Sequence, residues 1–72
     1  MGDGLFETIK SVNGVLLYFD QHYARLKKSA AILEIPLAYS LEILQNHCEQ
    51  LLAANQLMDQ TAAVRMTLTR GR

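Results

Sequence analysis

Seventy-two residues hold one domain at most, and a chain of this length hides only about 60% of the surface it exposes when unfolded. Half of the residues are hydrophobic, which suits a globular chain and not a disordered one. Seven acidic residues balance seven lysines and arginines, so no net field draws the chain to nucleic acid or to an anionic membrane. One cysteine, Cys48, allows no intrachain disulfide. No apolar run approaches the ~20 residues that span a bilayer, and no signal-peptide pattern opens the chain. The expectation is a soluble cytoplasmic protein.

Gly2 and Gly4 bracket Asp3 and free the backbone at the entrance to a strand. From Leu5 to Val12 the chain alternates. Leu5, Glu7, Ile9 and Ser11 share one face, while Phe6, Thr8, Lys10 and Val12 share the other. Asn13-Gly14 follows, a pair that tolerates the positive φ of a type I′ hairpin turn. Val15 to Phe19 has no polar alternation and is predicted as a second strand, buried on both faces. Asp20 is the predicted N-cap of a helix through about Leu33, with Tyr23, Leu26, Ala30 and Leu33 as its apolar stripe. His22 lies beside that stripe, Arg25 on its flank, and Lys28 points to water. Glu34-Ile35-Pro36 ends the helix.

Ser40 is placed to cap a second helix, roughly 41–55, whose stripe is Leu41, Leu44, Cys48 and Leu51. A last strand over 62–69 sets Val64, Met66 and Leu68 against Arg65, Thr67 and Thr69. The order strand, strand, helix, helix, strand predicts an α+β fold: a small antiparallel sheet, made of a hairpin plus a later strand, covered by two helices. Open sheet edges are expected.

Few residues suggest chemistry by spacing alone. Arg25 carries a planar fork that suits phosphate oxygens, yet an arginine on a helix flank also snorkels to water, and spacing favours that plainer role. His22 reads as a packed, hydrogen-bonded histidine. His47 and Cys48 diverge by ~100° on a helix and cannot easily share a metal. With no Cys-x-x-Cys or His-Glu-x-x-His spacing, no metal is expected.

A resemblance adds to this. Gly-Asp-Gly-Leu-Phe-Glu-Thr-Ile from Gly2, then Asn13-Gly14, Asp-Gln-His-Tyr-Ala-Arg-Leu from Asp20, and Thr69-Arg70-Gly71 resemble the N-terminal domain of class IV aminotransferases. These fold-type IV enzymes use pyridoxal phosphate (PLP) and include branched-chain and D-amino-acid aminotransferases and aminodeoxychorismate lyase. The likeness runs over residues 2–72 and implies part of the small N-terminal domain. It implies that Arg25 contacts the PLP phosphate, that Phe6 walls the substrate pocket, and that Glu7 and His22 have supporting roles.

No catalytic residue of the family falls in this chain. The cofactor-anchoring lysine and the glutamate facing the pyridine nitrogen belong to the C-terminal domain, and Lys10, Lys27 and Lys28 do not correspond to that lysine. The resemblance further implies a partner in that missing domain, a homodimer, and an amino acid or aminodeoxychorismate-type substrate. The 72 residues alone are expected to be inactive and to hold no PLP stably. Two other readings stay open: a stand-alone, non-catalytic interaction module and a self-associating fragment.

Overall fold

The computed structural model describes residues 4–69, so Gly2, Asp3 and the Arg70-Gly71 part of the Thr-Arg-Gly sequence lie outside the described residues. In chain order the elements are β1 (Gly4–Val12), β2 (Val15–Leu16), α1 (Phe19–Ile32), α2 (Leu41–Ala54) and β3 (Thr61–Thr69). The strands form one antiparallel sheet in the order β2-β1-β3. This is the expected α+β arrangement, with the weight of the sheet shifted. The β1–β3 ladder runs the full length of both strands, from Gly4 opposite Thr69 to Val12 opposite Thr61. The β1–β2 hairpin contributes only Ser11 opposite Leu16 and Val12 opposite Val15.

The hairpin turn forms as its residues dictate. Asn13 and Gly14 have φ of 50° and 82°, the double positive that a type I′ turn needs. Gly14 is also required by space, since a Cβ there would meet Met58 Cε at 2.7 Å. The Asn13 N–H donates to the Gln60 carbonyl at 3.2 Å and ties the turn to the start of β3.

The strand expected over 15–19 is cut short. Leu17 still donates to the Lys10 carbonyl at 2.8 Å, but Tyr18 then turns left-handed (φ 56°) and α1 begins at Phe19. Burial on both faces fails for the same reason: Leu16 and Phe19 enter the core, while Val15 and Tyr18 are exposed. The cap is Tyr18, which makes no side-chain capping bond. Asp20 instead lies in the first turn, where its charge complements the helix dipole.

Both helices stop before their predicted ends, and in the same way. Glu34 (φ 57°) and Gln56 (φ 59°) adopt the left-handed conformation just past each cap. The Ile35 N–H then reaches the Ala30 carbonyl at 2.8 Å and the Leu57 N–H reaches Leu52 at 2.9 Å. These are Schellman closures, so α1 ends at Ile32, four residues before Pro36. Leu33, placed in the apolar stripe by periodicity, is the C-cap and is largely exposed. At the start of α2, Ser40 caps as expected, its Oγ accepting from the Ile43 N–H at 3.2 Å. The buried row of α2 passes through Cys48 to Leu52, which is 1% exposed, and not to Leu51, which is 52% exposed.

The core lies between the helices and one face of the sheet: Ile9, Leu16, Phe19, Leu26, Cys48, Leu52, Val64 and Met66. The opposite face, bearing Phe6, Thr8, Lys10, Arg65 and Thr67, is exposed.

Candidate functional site

Strand alternation turns Glu7 toward the helices, and α1 carries His22 and Arg25 one turn apart on the side that meets it. The three side chains converge. Arg25 Nε donates to Glu7 Oε2 at 3.0 Å and Arg25 Nη2 donates to Glu7 Oε1 at 3.2 Å, a side-on bidentate pair. His22 Nδ1 lies 2.7 Å from the same Oε1. A carboxylate oxygen only accepts, so Nδ1 carries a proton and donates. The Arg25 Nη2 to His22 Nδ1 approach of 3.2 Å is then between two donors and is no hydrogen bond.

Hydrogen bonding from Arg25 holds the Glu7 carboxyl below its ordinary range; partial burial opposes this and the bond from His22 adds to it. The same contact with Glu7 pushes the Arg25 guanidinium further up. The geometry leaves a defined remainder. Glu7 and His22 are 15% and 18% exposed, whereas Arg25 is 61% exposed. Of the five guanidinium hydrogens, two are taken by Glu7, leaving both on Nη1 and one on Nη2 for a partner. A planar fork held from behind and open in front can hold an oxyanion.

Phe6, adjacent to Glu7 on β1, points to the other face and is 58% exposed. There the Arg65 guanidinium lies 4.1 Å from its ring centroid, a cation–π contact. Strand alternation places Arg65 on the face opposite Val64 and Met66 and gives it no partner. The pairing of Phe6 with Thr67 and Thr8 with Arg65 places Arg65 as a diagonal neighbour of Phe6, a relation that strand register alone supplies. Lys27 and Lys28 are exposed on α1. Cys48 is buried, and burial, with Glu49 nearby, raises its thiol pKa, so it is a core residue and not a nucleophile. No group of three potential metal ligands gathers among the described residues.

The α+β layer thus presents an acid-paired arginine open to solvent. Comparison with known proteins gives it a family. Residues 4–72 match the profile of amino-transferase class IV, and the chain belongs to that family. It is 39% identical over 71 residues to a D-alanine aminotransferase of Bacillus licheniformis, covering 99% of this chain and 24% of that protein. A D-alanine aminotransferase of Staphylococcus aureus (strain N315) is 37% identical over 70 residues, again with 24% of its length covered. The solved structure of a protein assigned as a 4-amino-4-deoxychorismate lyase, from Legionella pneumophila, superposes with a TM-score of 0.86 at 27% identity. That match covers 99% of this chain and 27% of the other. The chain thus spans about a quarter of the length of the relatives it matches.

Proposed function

We propose that this chain is part of the small N-terminal domain of a PLP-dependent aminotransferase or aminodeoxychorismate lyase-like enzyme, in which Arg25 binds the cofactor phosphate and Phe6 walls the substrate pocket. The observation that supports this best is the Glu7–Arg25 pair, because it fixes the guanidinium plane yet leaves Nη1 free on the solvent side. Such a fork fits phosphate oxygens. When bound, PLP supplies an electron sink for chemistry at the substrate α-carbon. Glu7 orients Arg25, and His22 holds Oε1 of Glu7 so that the carboxylate keeps its bidentate geometry. Phe6, exposed on the outer face of the sheet, would form one wall of the pocket when the rest of the enzyme covers it.

The lysine that anchors the cofactor lies, in this reading, in the C-terminal domain of a homodimeric enzyme. Three lysines are present in this chain, none beside Arg25 in the network described. Whether the substrate is an amino acid such as D-alanine or an aminodeoxychorismate-type compound follows from the relatives' own names and from no residue of this chain.

The test is an NMR titration of the 72-residue chain with PLP and with inorganic phosphate, reading the Arg25 Nε–H signal. Both ligands shift it through weak, non-covalent contact with the fork; followed at the backbone amides of α1, which every variant keeps, Arg25→Ala weakens that contact on the order of ten- to a hundredfold, and Lys28→Ala leaves it unchanged. Equal effects of the two substitutions would remove Arg25 from the role. Borohydride trapping and mass spectrometry complete the test: a stoichiometric adduct at Lys10, Lys27 or Lys28 would refute an external lysine.

A further inference from the structure

We propose that Met58 is an oxidation-sensitive latch: conversion of its thioether to the sulfoxide by a hydroperoxide loosens the Asn13-Gly14 turn from the start of β3. This goes beyond the reading under Proposed function and does not rest on it.

Met58 lies in the connection 55–60 between α2 and β3, and its side chain closes over the hairpin turn. A Cβ on Gly14 would stand 2.7 Å from Met58 Cε and 3.1 Å from Met58 Sδ, so the sulfur and its methyl occupy the space that glycine leaves. The backbone is fastened on both sides of that contact. The Leu57 N–H donates to the Leu52 carbonyl at 2.9 Å, and the Gln60 carbonyl accepts from the Asn13 N–H at 3.2 Å. Met58 is thus held against the turn by its neighbours in the chain, and the turn is held to β3 through Gln60.

The same sulfur is open to reagents. Met58 is 45% exposed, whereas Met66 is 9% exposed and belongs to the core. Access orders the two, and Met58 reacts first. In the step, a sulfur lone pair attacks one oxygen of the hydroperoxide, and the S–O bond forms as the O–O bond breaks. The proton on the transferred oxygen passes to the departing one, which leaves as water or an alcohol. Sulfur is oxidised by two electrons and the peroxide is reduced by two. The thioether was a soft, apolar cover for the turn; the sulfoxide oxygen is a polar acceptor that must be hydrated. The oxidised side chain therefore leaves Gly14 for water, and the Asn13–Gln60 bond beneath it opens more often.

Dilute hydrogen peroxide is added to the folded 72-residue chain, and tryptic peptides are read by tandem mass spectrometry. Cleavage after Lys10, Lys28, Arg65 and Arg70 puts Met1, Met58 and Met66 on separate peptides, and fragmentation distinguishes Met58 from Cys48. Met58 gains its oxygen several times faster than Met66. The oxidised chain melts several degrees lower, its Gly14 amide signal shifts, and its Asn13 amide exchanges with water severalfold faster. Methionine sulfoxide reductases of both stereochemical types together reverse these changes. Met58→Leu, which keeps an apolar side chain of similar volume over Gly14, melts close to the wild type and loses the peroxide response. Oxidation of Met66 at the rate of Met58 overturns the site. A Met58 sulfoxide that leaves the melt and the Asn13 exchange unchanged, or a peroxide response that persists in Met58→Leu, overturns the latch.

Discussion

Replacing Glu7 by glutamine keeps the side chain's size and removes its charge. An amide has one oxygen and one NH₂, whereas Glu7 accepts at both oxygens. In one amide orientation the NH₂ faces the Arg25 Nε–H; in the other it faces the His22 Nδ1–H. One donor is confronted with a donor either way. The His22 contact spans 2.7 Å between side chains only 18% and 15% exposed. With the amide oxygen toward His22 that bond survives only as a neutral one, and the lost charge assistance costs about 1 kcal/mol. Arg25 is screened by water and is left out of that figure.

In a chain of this size, 1 kcal/mol lowers the melting midpoint by roughly 4–8 °C, measurable by circular dichroism. The pH dependence has a definite sign. Folding lowers the Glu7 pKa, so its contribution is complete above the unfolded carboxylate value of ~4.3 and fades only as pH falls through the lower folded value. The gap between wild type and Glu7→Gln should therefore persist to the ordinary carboxylate range and close below it. The Arg25 Nε–H should exchange with water faster in the variant at every pH above that point. Equal melts at neutral pH, with an equally protected Arg25 Nε–H, would refute the reasoning.

Two further outcomes concern the scaffold. Gln56→Gly should stabilise the chain by about 1 kcal/mol, because Gln56 follows the C-cap of α2 at φ 59° and glycine meets no Cβ penalty there; chemical denaturation measures it. Ser11→Ala should raise the melting midpoint by a few degrees. The Ser11 hydroxyl is fully buried with no partner among the described residues, and its removal relieves a desolvation cost of about 1 kcal/mol.

What could be read from the sequence was local. Asn13-Gly14 announced its turn, Ser40 its cap, and the alternation of residues 5–12 divided the two faces of β1 correctly. The misreadings occurred where one residue's conformation outweighed pattern. Tyr18 is an aromatic residue in a left-handed conformation, which propensity disfavours, and it converts the end of an apolar run into the entry of a helix. Leu51 and Leu52 are equally apolar, so periodicity could not say which would face the sheet. For the site, spacing put His22 and Arg25 one turn apart, but their common partner is 15 to 18 residues away in sequence. Glu7 entered by resemblance alone. Arg65 needed the β1–β3 register, which no local signal encodes.

That register explains how one short strand can orient two arginines by different physics. Glu7 faces the helices and grips Arg25 with a carboxylate; Phe6, the residue before it, faces out and carries Arg65 on its ring. The first hold is ionic and directional, so it fixes a plane and leaves a fork free. The second depends on the ring's quadrupole, so it restricts position while leaving the cation's net charge uncompensated. A single-residue slip of β1 against β3 would turn Glu7 outward toward Arg65 and bury Phe6 beneath Arg25, collapsing both arrangements at once. What opposes the slip is the turn at one end of the strand. Asn13 and Gly14 lock the hairpin register, Met58 fills the space that only glycine leaves, and the Asn13 N–H fastens the turn to Gln60 just before β3 begins. The most distant part of β1 from either arginine thus sets which of them is paired with an acid and which rests on an aromatic ring.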